Sequence, residues 1–249
     1  MTTLFYIFAF LFGAAVGSFL NVCIARIPQK ESIVTGPSHC ESCGRRLAWY
    51  EMVPIVSWLV LGGKCRTCKA KLSSQYPLIE AGNGLLWVLI TLVLGLSWDS
   101  LFCCLASSAL LVAAFVDGRT GEIPPGVDWF ILALGVLHLA LHLSDWPKYV
   151  IGFLAVSLPL YLLLLATGGR GIGGGDIKLM AACGLLVGWK LILLAFAAAC
   201  ILGSVIHLLR MRLKGAGRTL ALGPYLAAGT VLSMLWGESL IAWYTGFLH

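Results

Sequence analysis

Apolar residues in this chain gather into eight stretches that are separated by short polar segments. A helix needs roughly 20 apolar residues to cross a hydrocarbon core of about 30 Å, so we predict eight transmembrane helices. Their ranges are 3–27, 77–97, 100–116, 126–143, 147–167, 177–188, 189–209 and 222–246. The sixth stretch is short, and Lys178 near its start has to extend its ammonium group toward the polar boundary. This pattern predicts an all-α polytopic membrane protein.

The composition agrees with the pattern. Apolar residues make up 59% of the chain and charged residues 11%, whereas a soluble domain carries about 25% charged residues. The first stretch has no Lys or Arg before it, so we expect a permanent first helix rather than a cleaved signal peptide. Gly13 and Gly17 within it form a GxxxG pattern, which is typical of close helix packing.

The basic residues indicate the orientation in the membrane. With the N-terminus outside, 15 of the 17 Lys and Arg residues fall on inner segments, and only Lys148 and Lys190 fall outside. Cytoplasmic loops carry an excess of Lys and Arg, so we place residues 28–76 in the cytoplasm. We attribute the net charge of +6 to contact with anionic membrane lipids, and we expect no nucleic-acid partner.

One segment, residues 28–76, has the composition of a water-exposed domain. It contains two CxxC pairs, Cys40 with Cys43 and Cys65 with Cys68, separated by 21 residues. Four thiolates at such a spacing suit a tetrahedral zinc site, and the reducing cytosol disfavours disulfides. The alternatives are redox-active thiols, or cysteines that share no site. We therefore predict a small cytoplasmic domain with a structural zinc ion between the first two membrane helices.

The predicted organisation has three parts. Residues 1–27 form the first transmembrane helix, residues 28–76 the zinc-binding domain, and residues 77–249 a seven-helix membrane domain. Between the CxxC pairs, the apolar run 52–61 is too short to span, and we expect it to lie at the interface or to pack on the helices.

Two aspartates occupy unusual places at the ends of apolar stretches. Asp117 ends the third stretch and Asp176 begins the sixth, and the topology puts both at the inner membrane boundary. Two carboxylates at one depth could share a proton and activate water. The alternative is a pair of solvated helix-end carboxylates, of which Asp176 would cap its helix.

Glycines crowd the segment just before Asp176, at positions 168, 169, 171, 173, 174 and 175. Glycine allows close backbone approach and permits conformations that other residues avoid, which would help an extended peptide to reach the carboxylates. The segment also matches G-x-G-x-x-G. A nucleotide-binding loop of that kind follows a strand, whereas this one follows an apolar helix, so we exclude it.

Several motifs resemble those of one family when they are taken in order. The matching segments are 17–22, 26–28, 38–43, 49–50, 57–58, 65–68, 76–80, 117 with 121–124, 173–179 and 223–225. Together they are similar to the type IV prepilin peptidases, bifunctional leader peptidases and N-methyltransferases of the bacterial inner membrane. The resemblance covers nearly the whole chain. One departure is Pro125, which stands where the family usually has Asp or Asn.

The resemblance implies an activity and roles for individual residues. The two aspartates would be the catalytic pair, and the GxGD segment would position the substrate through Gly173, Gly174, Gly175 and Lys178. Substrates would be prepilins of type IV pili or pseudopilins of protein secretion, cut at the cytoplasmic membrane boundary. S-adenosylmethionine would supply the methyl group for the new N-terminal amine. For Glu41 and Glu51, which could contact a basic leader, we expect ordinary exposed carboxylates.

Two other function classes stay open on the residues alone. One is a different GxGD intramembrane protease, of the presenilin or signal-peptide-peptidase kind, against which the four-cysteine segment argues. The other is a transporter that uses the two aspartates as a proton relay. Transporters of that kind are built from paired repeats, and we find no clear repeat.

Overall fold

The computed structural model describes residues 2–169, 171–214 and 221–247, and within these the chain is helical. The α-helices are α1 (Thr2–Arg26), α2 (Val56–Val60), α3 (Gln75–Leu94), α4 (Trp98–Thr120), α5 (Pro125–Leu141), α6 (Trp146–Ala155), α7 (Ser157–Ala166), α8 (Gly174–Val187), α9 (Trp189–Lys214) and α10 (Gly223–Gly246). Strand pairing among the described residues is limited to the isolated bridges 39–46 and 64–71. The predicted all-α class is confirmed.

Six helical segments are long and apolar enough to cross a membrane. They are Thr3–Gln29, Gln75–Leu94, Trp98–Thr120, Leu143–Ala166, Trp189–Leu213 and Gly223–Gly246. The other two predicted stretches are also helical but shorter, with 17 residues in α5 and 14 in α8. At 1.5 Å per residue, α8 is ~21 Å long, less than the bilayer core. The count of eight spans stays a prediction.

The chain divides into two compact units, Met1–Cys104 and Leu105–His249. In the first unit, α1 packs closely on α3. A Cβ atom at Gly13 would lie 2.8 Å from the Gly84 Cα, and one at Gly17 would lie 2.8 Å from the Glu80 Cα. Asn83 Nδ2 donates a hydrogen bond to the Gly13 carbonyl oxygen over 2.7 Å. The GxxxG pattern therefore marks close packing of helices, as predicted.

In the second unit, α8 is the central helix. Every residue from Leu179 to Val187 is buried, because α5, α6, α7, α9 and α10 pack around it. Gly184 faces Gly152 of α6 so closely that a Cβ on either glycine would overlap the backbone of the other helix. An apolar helix that is covered on all sides belongs to a core, so the short α8 serves as the core that holds Asp176.

The predicted stretch 147–167 is divided into two helices. α6 ends at Ala155 and α7 begins at Ser157, with Val156 between them. Pro159 explains the break, because proline lacks an N–H and its ring clashes with the carbonyl four residues earlier, that of Ala155. The Ser157 hydroxyl donates to the Phe153 carbonyl oxygen at this point.

Candidate active site and metal site

Asp117 lies in the last turn of α4 and is 5% exposed. Its Oδ2 accepts a hydrogen bond of 2.8 Å from the backbone N–H of Gly223. Gly223 is the first residue of α10, so this N–H has no partner inside its own helix, and the helix dipole is positive there. Asp117 is therefore held at a site that suits a negative charge.

Asp176 lies in the first turn of α8 and is half-buried. The backbone of Gly173 forms a hydrogen bond with its carboxylate, and the charge of Asp117 acts on it. The structure thus brings the two predicted aspartates together within the second unit, each beside the N-terminus of a helix. Like charges at close range are expected to titrate as one pair.

The loop between α4 and α5 holds the two motifs together. A Cβ atom at Gly175 would lie only 3.1 Å from the Ile123 Cβ, and Ile123 is buried in that loop. A residue without a side chain lets α8 begin against the segment that follows Asp117 without any displacement of Ile123. Gly175 therefore serves close packing rather than peptide entry alone.

Among the glycines before Asp176, only some adopt the backbone conformations that other residues avoid. Gly168 and Gly169 have φ values of +59° and +81°, where glycine is favoured. Gly173 has an ordinary extended conformation with φ −73°, and neither Gly174 nor Gly175 has a positive φ. At Gly173 and Gly175 the fold uses the lack of a side chain rather than unusual backbone angles, because a Cβ atom would lie 3.1 Å from Asp176 Oδ2 or from the Ile123 Cβ, respectively.

A third carboxylate, which the sequence motifs did not indicate, interacts electrostatically with Asp176. Asp128 of α5 is 7% exposed, and the charges of Lys178 and Asp176 act on it. Lys178 is exposed, as expected for a side chain that extends to the polar boundary. The signal that could have found Asp128 is its place in the first turn of an apolar helix that follows the Asp117 motif.

The four cysteines of the two CxxC pairs come together in the first unit. Their Sγ atoms all lie within 4.8 Å of one another, and Cys40 Sγ lies 3.8 Å from Cys68 Sγ. Tetrahedral zinc with Zn–S bonds of about 2.3 Å places its sulfur ligands ~3.8 Å apart. The thiol set therefore fits a tetrahedral metal ion.

The backbone around the cysteines also suits thiolates. The backbone N–H groups of Cys68 and Thr67 point to the Cys65 sulfur and lower the pKa of this thiol to about 6. The two pairs repeat one turn: Cys40 N–H donates to the Arg45 carbonyl, and Cys65 N–H donates to the Ala70 carbonyl, over 2.9 and 2.8 Å. Both halves thus present sulfur ligands in the same way.

Glu51 is not the exposed carboxylate that we expected. It is 8% exposed, its Oε1 lies 2.6 Å from Arg45 Nη2, and its Oε2 accepts the Ala48 N–H over 2.9 Å. The bond from Arg45 and then the one from Ala48 lower the pKa of Glu51 below its usual value. This residue braces the first cysteine turn and is not available to a peptide. Glu41 is exposed, as predicted.

The apolar run between the cysteine pairs does not form a buried core. Residues 49–52 form a 3₁₀ turn and 56–60 form α2, and the Val56, Leu59 and Val60 side chains are exposed. Glu80 of α3 accepts the Ile55 N–H over 2.7 Å. This bond ties the segment to the end of a membrane helix and supports a location near the membrane interface.

Comparison with known proteins identifies relatives of both units. Residues 11–94 match the bacterial peptidase A24 N-terminal domain, and residues 104–208 match the type IV leader peptidase family. A prepilin leader peptidase/N-methyltransferase of Stutzerimonas stutzeri is 32% identical, with 98% of this chain and 94% of the relative aligned. No solved structure matches.

Two more relatives carry the same name. The protein of Pseudomonas aeruginosa is 31% identical, with 98% of this chain and 94% of the relative covered. The one of Bacillus subtilis is 33% identical, with 94% and 96% covered. Because these alignments span almost the full length of each protein, the kinship applies to the whole chain.

By its fold and its relatives, this chain is a multi-pass inner-membrane protein that carries a cluster of four cysteines outside its apolar helices. Within that class, the chain belongs to the type IV leader peptidase family. The family resemblance that the sequence motifs indicated is therefore confirmed.

Proposed function

We propose that this protein is a membrane aspartic endopeptidase that removes the leader of type IV prepilins or pseudopilins and then methylates the new N-terminus. The relatives named prepilin leader peptidase/N-methyltransferase support the substrate class and both activities. The observation that carries the peptidase mechanism is the meeting of Asp117 and Asp176 at the ends of two different helices.

The reaction requires one proton on the pair. The ionised carboxylate takes a proton from a water molecule, whose oxygen attacks the scissile carbonyl carbon, while the protonated carboxyl group donates its proton to the carbonyl oxygen. The tetrahedral intermediate then collapses. The C–N bond breaks, and the amine leaves with a proton from one carboxyl group. As the new carboxylic acid forms, one hydroxyl group of the intermediate gives its proton to the other aspartate. The pair ends with the single proton with which it began.

The topology that we propose puts this chemistry at the cytoplasmic boundary. Eight helices cross the membrane, the N-terminus lies outside, and residues 28–76 lie in the cytoplasm between the first helix and the seven-helix part 77–249. The distribution of Lys and Arg supports this arrangement. The short α8 reaches the boundary only at its start, where Asp176 and the preceding glycines admit an extended peptide.

We propose a structural zinc ion for the four cysteines. The separation of the sulfur atoms and the N–H groups that face Cys65 fit zinc. A segment of this size gains folding free energy from a metal ion, and its own apolar side chains are largely exposed. Zinc would hold the domain together and take no part in peptide cleavage.

Methylation would follow cleavage, because the acceptor amine exists only after the peptide bond is broken. Kinship alone supports S-adenosylmethionine as the methyl donor, and we derive no residue for its site. Methyl transfer from labelled S-adenosylmethionine to a cleaved peptide, compared with an uncleaved one, tests this order.

Leader cleavage in proteoliposomes tests the peptidase mechanism. Wild type, Asp117→Asn and Asp176→Asn are compared on a prepilin-like peptide, with Asp145→Asn as the matched control, since Asp145 is an exposed aspartate of the same unit. We expect wild type and the control to cut and the two site variants to lose at least about 1,000-fold in rate, because each removes a carboxyl group of the pair. Melting curves check that all four proteins are folded.

The same vesicles test the transporter alternative. A pH-sensitive dye inside them reports proton flux. Cleavage that persists in both folded site variants would overturn the aspartic mechanism. Proton flux that depends on Asp117 and Asp176, without any cleavage by wild type, would favour the transporter.

A further inference from the structure

Asp128 carries an unpaired oxygen inside the protein. The residue is 7% exposed, and its Oδ1 is buried without a hydrogen-bond partner among the described residues. Its helix, α5, packs on α8. Asp128 interacts electrostatically with three residues of α8, namely Asp176, Lys178 and Cys183. The carboxyl group therefore interacts electrostatically with one aspartate of the proposed catalytic pair and is not itself a member of that pair.

A common role for an acidic residue in the first turn of a helix does not explain this placement. Aspartate is frequent there because it interacts with the helix dipole and with free N–H groups, normally at the surface. Asp128 is buried instead, and its Oδ1 has no hydrogen-bond partner in the part of the chain that the structure describes. A buried polar atom without a hydrogen bond destabilises a fold and calls for an explanation. Leucine, which branches at the same carbon atom, would suit this apolar surrounding better.

We propose that Asp128 is a positioning residue of the active site, whose free Oδ1 accepts a hydrogen bond from a water molecule that bridges to Asp176. The bridge orients the Asp176 carboxyl group toward the substrate carbonyl. A buried site between two polar groups is the usual place for such a water molecule. The proposal rests on the proposed peptidase function and adds a third carboxylate to it.

Two substitutions separate this role from a structural one. Asp128→Asn keeps an acceptor oxygen in a side chain of nearly the same shape. Asp128→Leu removes the acceptor and keeps a side chain that branches at Cγ. We expect Asp128→Asn to stay within about threefold of the wild-type kcat and Asp128→Leu to lose about 10- to 100-fold, the range for a misoriented catalytic group. KM should change less than twofold in both, because Asp128 does not touch the peptide.

The melting temperature provides the second readout. We expect Asp128→Leu to melt at or above the wild-type temperature, since it removes an unpaired buried atom. Loss of rate in a protein that is at least as stable as wild type is the result that a purely structural role would not give. Asp145→Leu, at an exposed aspartate of the same unit, is the control and should leave rate and stability unchanged.

Three results would overturn the proposal. Asp128→Leu could be folded and as fast as wild type, Asp128→Asn could be as slow as Asp128→Leu, or the loss could lie in KM alone. If the leucine variant does not fold, Asp128→Ala takes its place beside the asparagine variant under the same criteria. Wild type serves as the separate test of the proposed function, because a wild-type protein that cuts no prepilin peptide refutes the peptidase assignment itself.

Discussion

The backbone N–H of Gly223 donates a hydrogen bond of 2.8 Å to Asp117 Oδ2. This bond joins the last turn of α4 to the first residue of α10. A Cβ atom on Gly223 would lie 2.7 Å from the same oxygen, so glycine is needed for the two helix ends to meet. The start of the last helix is therefore part of the environment of Asp117, the first aspartate of the proposed catalytic pair.

Gly223→Ala is predicted to slow leader cleavage by about 10- to 100-fold, because the new methyl group displaces the Asp117 carboxylate from its position. The measurement is kcat in proteoliposomes, together with a melting curve. Gly118→Ala is the matched control. Gly118 neighbours Asp117, and its Cβ would meet only Pro224 at an ordinary 3.8 Å.

For the control we expect wild-type cleavage and a small gain in stability, since alanine is a better helix former than glycine by up to about 1 kcal/mol. A Gly223→Ala protein that cuts as fast as wild type would show that the helix end adapts, and that the N–H bond to Asp117 is dispensable.

Substitutions at Gly175 are predicted to have graded effects. The Ile123 Cβ would lie 3.1 Å from a Cβ at this position, so Gly175→Ala requires a shift of a few tenths of an ångström. We expect a three- to tenfold loss of rate. Gly175→Val adds two methyl groups to the same contact and should lose more than about 100-fold, because overpacking moves the backbone.

The matched control for Gly175 is Gly126→Ala in the first turn of α5, where a Cβ meets nothing within 4 Å. It should cut like wild type. Equal rates for Gly175→Ala and Gly175→Val would contradict the packing argument, because the loss would then not depend on side-chain size.

Zinc removal is predicted to unfold residues 28–76 before the membrane helices. The purified protein should contain one zinc ion per chain by mass spectrometry, and Cys40→Ser should reduce this content, because structural sites need all four ligands. After chelation, limited proteolysis should cut first within 28–76. Cys200→Ala, which changes an exposed thiol outside the cluster, is the control and should keep its zinc. Absence of stoichiometric zinc in wild type would refute the prediction.

Glu51→Gln is predicted to lower the stability of the cysteine domain by an amount that does not change between pH 6 and 8. The pKa of Glu51 is lowered in the fold by Arg45 and by the Ala48 N–H. A lowered carboxyl pKa contributes stability that is complete above the unfolded value of about 4.3 and is lost as the pH falls through the folded value. The range from pH 6 to 8 lies above both values.

Thermal melting of the zinc-loaded protein at several pH values in that range measures the effect. Glu41→Gln, at an exposed carboxylate of the same domain, is the control and should melt like wild type. A difference between wild type and Glu51→Gln that grows or vanishes within pH 6–8 would mean that another titrating group, and not the Glu51–Arg45 pair, causes it.

Much of the fold follows from the sequence alone, because the features that carry it are local in the chain. Length and hydropathy of each stretch suffice for the helices, and all eight predicted stretches are helical. The CxxC pairs identified the sulfur cluster, since two short turns present their cysteines in the same way. The order of the motifs along the chain was enough to identify the family as well, because motifs are read directly from the sequence.

Other features were decided by tertiary contacts between distant residues. The hydropathy of 147–167 did not indicate its division, although Pro159 supplies the cause. Glu51 was expected at the surface, but Arg45 and the Ala48 N–H hold it in the domain. Burial of one polar side chain depends on where its partners lie, and a hydropathy pattern does not contain that information.

The candidate site divides in the same way. Asp117 and Asp176 could be named from the sequence, because carboxylates at the ends of apolar stretches stand out. Their meeting depended on the packing of α8 among its neighbours, on the N–H of Gly223 and on the contact of Gly175 with Ile123. The sequence motifs did not single out Asp128, and the burial of α5 against α8 brings it into electrostatic interaction with Asp176. A sequence shows which groups can react, and the packing of helices decides which of them come close together.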